Sequence, residues 1–400
     1  MLAGISIVDT FIQFSIVNIG LYALKNSGFN IKYKHNQKSK QNMKKMILLV
    51  LMSIMTMDAT IACTTFVIHD DTNLAFGRNF DWDISSAMVV VNKKGLYKQA
   101  FVQPPNVAAT WISKYGSITF NQIGVDSPMG GMNEKGLVIA QMALFESKYP
   151  DKIEKEVVGE LEWIQFQLDN SASLAEVIEN NKNVQIVPVG VPVHYMICDS
   201  DGNIGVVEFL NGELVITQGE SITIPVCSNM YYNHSKSAIK SYEPYGGANP
   251  LPMQCGNVTD IVAIANSMID KYDTTENVID YGFKILNTVS SSTRTQWSVV
   301  FDIHNQTINF KTLHNKDVRV LSLTDFNFDC DNSIPILNVH ESKSKSNMKS
   351  QFNDLTSAYY FDYKKALYDL YFTILPGFPK IPDEVINLEV DYVVNSRKCK

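Results

Sequence analysis

The chain has 400 residues, 45% of them hydrophobic, and a formal net charge of −7. That is material for one large domain or two ordinary ones, and the acidic balance, with no long basic run beyond the N-terminal leader, speaks against a nucleic-acid surface. The six cysteines (Cys63, Cys198, Cys227, Cys255, Cys330 and Cys399) form no C-x-x-C pair, which argues against a zinc site and a disulfide-dense scaffold. One or two disulfides stay open for an exported chain, with no pairing legible.

Residues 43–62, "MKKMILLVLMSIMTMDATIA", carry two lysines and then a twelve-residue apolar stretch from Met46 to Met57. They close on small residues, with Thr60 at −3 and Ala62 at −1 of a cleavage site. This is the layout of a secretory signal, with an apolar core too short to span a bilayer. It predicts an exported protein, periplasmic or secreted, whose mature chain begins at Cys63. Residues 1–42 fit no such layout: an apolar stretch over 1–24, broken by Asp9, precedes a basic polar segment. The expectation is that translation starts at Met43, with a true membrane anchor as the alternative. "TIAC" also admits a lipoprotein reading, in which Cys63 is acylated and tethered, although Thr60 stands where an aliphatic residue is expected.

Beyond Cys63, "CTTFVIHD", "LAFGRNF", "AMVVVN", "SITFNQIG" and "GLVIAQMALF" are short apolar or alternating runs that predict strands. A helix is predicted through "KEVVGELEWIQFQLDN", where Val157, Leu161, Ile164 and Leu168 recur at helical spacing, and a second follows the "NSAS" cap. Strands resume at "VQIVPV" and "VHYMICDSDGNIGVVEFLNGELVIT", with a hairpin at "DSDGN". Helices are predicted in "TDIVAIANSMIDKY" and "TENVIDYGFKILNTV", then an antiparallel pair turning at His304–Gln306. Sheet blocks alternating with helical blocks suit an α+β domain with two sheets face to face and helices outside. The domain is expected to span 63–339, followed by a polar linker and an aromatic-rich extension over 340–400. That extension should hold one helix, "SAYYFDYKKALYDLYFTIL", packed on the main domain because so many aromatics are costly in solvent.

A cysteine at a new N-terminus carries its own base. Its thiol, with an ordinary pKa near 8.5, needs help at neutral pH, and a free α-amine near 7.7–8.0 lies only a few bonds away. Cleavage after Ala62 would create nucleophile and base together, and an acylated amine could not play that part. "NLAFGRNFDWD" (73–83) returns beside Cys63 by one hairpin, bringing Arg78 to steady a thiolate and Asp81 to hold the amine. By themselves, an Arg and an Asp at a strand end read as a surface ion pair as readily as an active site.

A cysteine after a cleavable leader, "FGRNFDW" some fifteen residues on, and "GGMNEKGLVIAQM" (130–142) together resemble the choloylglycine hydrolase / penicillin V acylase family. The likeness continues through "VHYMICDSDGNIGVVEF" (193–209), "VCSNMYYN" (226–233) and "STRTQWSVVFDIHNQTINFKT" (292–312), in the family's order from Cys63 to Leu323. The resemblance implies an αββα four-layer sandwich of the N-terminal-nucleophile hydrolase type. It implies a cysteine amidohydrolase that cleaves a linear amide with an apolar acyl group through a thioester, with no metal or organic cofactor. A homo-oligomer is implied too, tetramers being common among relatives. The substrate class stays open among penicillin V, conjugated bile salts and long-chain N-acyl amides such as acyl homoserine lactones; the exported leader sits closer to the penicillin acylase side.

Carried over residue by residue, Cys63 falls on the nucleophile, Arg78 and Asp81 on the charged pair around it, and Asn229 on the side-chain donor of the oxyanion hole. Two departures stand out. The second oxyanion-hole position falls on Ala143, where only the backbone N–H remains. The arginine that many members carry at a helix start is missing from "GNVTDIVAIA" (256–265), and Arg294 is the nearest candidate for its role. Met88, Phe145, Trp82 and Met142 are candidate liners of the acyl pocket. Asn133 to Gly136 read as a structural turn, and His194 and His304 as core or surface histidines away from the cysteine.

Overall fold

A computed structural model describes residues 62–102, 105–341, 348–375, 377–395 and 397–400. The expected leader therefore lies outside the described residues except for Ala62, as does the middle of the polar linker. In chain order the strands begin β1 (Thr64–His69), β2 (Leu74–Asp81), β3 (Met88–Asn92), β4 (Leu96–Gln99) and β5 (Thr110–Ile112). They continue as β6 (Ser117–Asn121), β7 (Pro128–Asn133), β8 (Val138–Ala143) and β9 (Glu156–Gly159). Helices α1 (Glu160–Asn170) and α2 (Leu174–Asn180) follow, then β10 (Val184–Val187), β11 (Val193–Cys198), β12 (Ile204–Leu210), β13 (Glu213–Gln218) and β14 (Val226–Ser228). Next come α3 (Tyr232–Ala238), α4 (Val258–Ile269) and α5 (Val278–Thr288), and strands β15 (Thr295–Asp302), β16 (Thr307–Thr312) and β17 (Arg319–Ser322). The C-terminal part holds β18 (Pro335–Asn338), β19 (Asn353–Asp354), α6 (Ser357–Ile374), α7 (Asp383–Asn395) and β20 (Lys398–Cys399).

Two large sheets carry the fold. One runs β14-β1-β2-β15-β16-β17 and the other β13-β12-β11-β8-β7-β6-β3-β18-β19. The period-two alternation of the second sheet shows which face each residue serves. In β3, Val89 and Val91 join the core between the sheets, whereas Met88 and Val90 join an outer cluster beneath α6 and α7. In β8, Val138, Ala140 and Met142 face inward, and Ile139, with Leu137 just before the strand, packs outward with Trp163 and Ile164 of α1. Helices α4 and α5 cover the outer face of the first sheet. The result is the predicted α+β, αββα sandwich.

Gly77 has a strict packing reason: a Cβ there would sit 2.1 Å from the ring of Phe66, its cross-strand partner. The "MNEKG" segment is the turn expected of it, with Gly136 at φ +79° and the Asn133 side chain accepting from the amides of Lys135 and Leu137. Two expectations about secondary structure fail. The first helix begins at Glu160, not at Lys155, because Glu156–Gly159 pairs in parallel with Val184–Val187. Val157 therefore belongs to a strand, and Glu162 reaches back to accept the Gly159 amide at the true helix start. The extension holds a second helix, α7, whose Ile386, Val390 and Val393 are buried.

The extension is bolted down at several points. Lys364 of α6 pairs with Glu389 of α7 at 2.8 Å with both side chains largely buried. Arg397 pairs with Asp126, and the buried Lys98 bridges Asp126 and Asp169 at 3.2 and 2.9 Å. A disulfide joins Cys330 to Cys399 across 69 residues of sequence. A crosslink closing a loop of that length stabilises by about 2–4 kcal/mol, mainly by restricting the unfolded chain. We expect a reducing agent to lower the wild-type Tm and to leave the already lower Tm of Cys330→Ser unchanged, as read by thermal melts with and without dithiothreitol.

Candidate active site

Cys63 stands immediately before β1, the strand that lies between β14 and β2. Thr64 pairs with Ser228 on one side and with Asn79 on the other, so both flanking strands end beside Cys63. The Ser228 hydroxyl donates to the Cys63 carbonyl at 2.7 Å, and the Cys63 thiol points to the Asp81 carbonyl at 3.8 Å. The cysteine is buried, and so is Ala62 before it. With Ala62 attached, the Cys63 nitrogen is a peptide amide.

Arg78 and Asp81 both lie on β2. Arg78 is 1% exposed, donates from Nη1 to the Gln141 carbonyl of β8 at 2.5 Å, and sits over the Phe80 ring at 5.6 Å. It thereby ties one sheet to the other. Among the described residues, its Nε and Nη2 are buried with no hydrogen-bond partner, and both carboxylate oxygens of Asp81 are buried with no well-formed one. Burial lowers the Arg78 pKa to about 10, opposed by Cys63 and Asp81, so the guanidinium stays charged at neutral pH. Burial raises the Asp81 carboxyl to about 7, against the downward pull of the nearby Thr295 hydroxyl and of Arg294 and Arg78. Burial likewise raises the Cys63 thiol, with Arg78 as the principal opposing influence. A thiol, a cation and a carboxyl with unpartnered polar atoms thus share one dry seam, an arrangement typical of functional sites.

Asn229 follows β14 by one residue, which places it opposite Cys63 if the ladder is continued. Its side-chain oxygen is buried without a hydrogen-bond partner among the described residues. Ala143 ends β8, pairs with Val193 of β11 and is partly exposed. The sequence-predicted residues Cys63, Arg78, Asp81 and Asn229 are therefore brought together by three adjacent strands, and Ala143 belongs to the facing sheet.

Arg294 is placed differently from the other five. Its guanidinium forms a two-point ion pair with Asp83, Nε to Oδ1 and Nη2 to Oδ2 both at 3.0 Å. It lowers the Asp81 pKa from a distance, but its fork is occupied by Asp83. The start of α4 has its own acidic cap instead, with Asn257 accepting from the Asp260 amide and Asp260 bonded to Tyr242.

Of the candidate acyl-pocket liners, Met142 is buried and accepts from the Thr65 hydroxyl at 3.2 Å, and Phe145 is 57% exposed. Met88 does not line the site, because it packs outward beneath α6 and α7. Trp82, next to Asp81, is partly buried between the main core and a small cluster containing Leu367 and Tyr371 of α6. The sequence sets His194 apart from the cysteine, yet its Nε2 lies 2.8 Å from the Ser228 carbonyl. A histidine at an inward position of an otherwise apolar strand is the signal that could have pointed to it.

The model of linear amide C–N hydrolases of the choloylglycine hydrolase type matches residues 63–262. A penicillin V acylase from Pectobacterium atrosepticum is 25% identical over 213 residues, 48% of this chain and 56% of that protein. The chain thus matches little more than half the length of that relative. Among solved structures, a penicillin V acylase from Agrobacterium tumefaciens superposes with a TM-score of 0.65 at 23% identity, covering 74% of this chain and 98% of that one. A mutant conjugated bile acid hydrolase from Clostridium perfringens gives a TM-score of 0.57 at 20% identity, covering 71% and 97%. These two structures support the sandwich fold.

Asp81 makes the electrostatics testable. A carboxyl whose pKa is about 7 folded and 3.8 in the open chain binds more protons in the folded state between those values. Its contribution to stability is therefore full at low pH and is lost as pH rises through that window. At about 1.4 kcal/mol for each pH unit crossed, the loss reaches roughly 4 kcal/mol at most. In a chain prepared with Ala62 still joined to Cys63, we expect Asp81→Asn to melt higher than wild type near pH 8. The two should converge near pH 4, as followed by thermal melts across that range; a wild-type advantage near pH 8 would contradict the assignment.

Proposed function

The chain belongs to the choloylglycine hydrolase family of linear amide C–N hydrolases, and on that premise we propose that it is an exported cysteine amidohydrolase whose mature N-terminus is Cys63. In this reading the free α-amine takes the thiol proton, and the thiolate adds to the amide carbonyl. The Asn229 side-chain amide and the Ala143 backbone N–H stabilise the oxygen that becomes negative. The amine leaves with the proton, a thioester remains on Cys63, and water releases the acid. Arg78 favours the thiolate, and Asp81 pairs with the α-ammonium and orients it.

The observation that carries this reading is the Asp81 carboxyl buried beside Cys63, whose oxygens have no well-formed hydrogen-bond partner among the described residues, the nearby Thr295 hydroxyl being the nearest help. An α-ammonium released by cleavage is a donor of the right sign and place to meet them. An acylated amine would bring no positive charge, which favours the free N-terminus over a lipid tether. The Cys330–Cys399 disulfide agrees with an oxidising, extracytoplasmic location. The substrate is proposed to be a small amide with an apolar acyl group, penicillin V and conjugated bile salts being the named substrates of the relatives, and the working form a homo-oligomer. Long-chain N-acyl amides such as acyl homoserine lactones remain in the test as the second class.

Intact mass of the exported protein should place the first residue at Cys63 with a free amine. Turnover of penicillin V, glycocholate, taurocholate and an acyl homoserine lactone then ranks the substrates. We expect Cys63→Ala to lose at least about 10³-fold in kcat/KM on whichever amide the wild type cleaves. Turnover equal to wild type in that variant, or a diacylglyceryl mass on the mature chain, would end the proposal.

A further inference from the structure

Two charged-type side chains occupy the apolar layer between the sheets with no place in the chemistry above. His194 of β11 and Glu208 of β12 are 0% and 1% exposed. Both take inward positions: Met196 and Cys198 of β11 and Val206 of β12 belong to the inter-sheet core, while Tyr195 and Val207 face outward. Burying such groups is costly unless their polar atoms are satisfied in place. Here they are satisfied by each other and by the segment running from the end of β14 into α3. His194 Nδ1 lies 3.1 Å from Glu208 Oε1, and His194 Nε2 lies 2.8 Å from the Ser228 carbonyl. Glu208 Oε1 also accepts from the Tyr232 amide at 2.8 Å.

Ser228 and Tyr232 are the two ends of the short turn that carries Asn229. Within it, the Met230 amide donates to the same Ser228 carbonyl at 2.7 Å. Because a carbonyl oxygen only accepts, His194 Nε2 must carry the proton, so the imidazole acts as a donor clamp on the turn. The residue before His194, Val193, pairs with Ala143, the other half of the proposed oxyanion hole. One stretch of β11 therefore touches both halves: it pairs with Ala143 through the backbone ladder, and it grips the Asn229 turn through the imidazole.

We propose that His194 and Glu208 are positioning residues of the oxyanion hole, fixing the Asn229 amide relative to the Ala143 N–H across the gap between the sheets. The proposal rests on the hydrolase reading. Hydrogen-bond stabilisation of a developing oxyanion depends on donors held in place before the reaction, and small misplacements are expensive. The pair's link towards Cys63 runs through Ser228, whose hydroxyl donates to the Cys63 carbonyl, so a loss of kcat with unchanged thiol reactivity is what separates positioning of the oxyanion hole from a purely structural role.

The test uses the mature enzyme and the best amide from the substrate panel, with iodoacetamide alkylation of Cys63 measured in parallel. Truncating His194→Leu should lower kcat by roughly 10- to 100-fold, leave KM within a factor of about two, and leave the alkylation rate at the wild-type value. His194→Gln, which can still donate to the Ser228 carbonyl, should recover much of the lost kcat. Glu208→Gln keeps the volume of the site and gives the same kcat-selective loss if His194→Leu does not fold. Unchanged kcat in folded His194→Leu or Glu208→Gln overturns the proposal, as does a parallel fall of kcat and alkylation rate, or a glutamine no better than leucine at position 194. Wild-type turnover that survives full alkylation of Cys63 would remove the hydrolase reading, and this proposal with it.

Discussion

A carboxyl taken out of water without well-formed hydrogen bonds is among the costliest things a protein core can hold, and Asp81, with only the nearby Thr295 hydroxyl to help it among the described residues, is in that position at the end of β2. Its neighbours sharpen the constraint. Arg78 is buried with two of its three nitrogens unpartnered, and the Cys63 thiol has only a carbonyl for company. Each group alone would be driven towards its neutral form by burial. Together with an α-ammonium they can keep their charges, because each then faces an opposite partner in a medium that screens little. The charges around Cys63 are thus unbalanced while Ala62 is attached, and on the proposed reading cleavage of that one peptide bond would supply the missing charge.

The same imbalance bears on the order of events. Ala62 is 1% exposed and belongs to the large buried core that also holds Cys63, so the junction with Cys63 is not at the surface of the folded chain. A peptidase acting in trans needs an extended, accessible segment. On the proposed reading, removal of a leader would therefore be easiest before β1 settles between β14 and β2. Folding of the cut chain would then bring the new ammonium into contact with Asp81, so electrostatics would favour the processed chain over the unprocessed one.

Much of this is legible in the sequence, for reasons that differ from element to element. Strands β1, β2, β3 and β8 announce themselves through alternation or continuous apolar runs, and the Cys63–Arg78–Asp81 group is a single-hairpin contact that spacing can place. Asn229 and Ala143 rest on family likeness, since strand order in a sheet is not encoded locally. The start of α1 escapes the sequence because parallel pairing with β10 overrides the helical spacing of Val157. Helix α7 escapes it too, although Ile386, Val390 and Val393 are helically spaced, because the prolines before it read as a terminal stop. Arg294 is placed by sequence near the catalytic charges, and its engagement by Asp83, 211 positions earlier in the chain, has no signature in local sequence. The link from His194 to Ser228 depends on two sheets lying face to face, and no one-dimensional pattern reports that.

The C-terminal extension completes the same logic on the other side of the site. Trp82 follows Asp81 directly, and with Ile123 it belongs both to the core that contains Cys63 and to the small cluster beneath α6. Helix α6 reaches the same ground through polar contacts: Tyr363 donates to the Gln122 carbonyl, Lys364 to the Ile123 carbonyl, and the Tyr360 hydroxyl accepts from the Val125 amide. The loop that follows Asp81 and the loop that follows β6 are therefore held from outside by one helix, which α7, the Lys364–Glu389 pair and the Cys330–Cys399 disulfide hold in turn. Loops confined by packing and by a covalent tie sample fewer arrangements than free ones. On the proposed hydrolase reading, a wall built in this way beside Trp82 would select among acyl groups by shape, because it does not readily yield to a poorly fitting one.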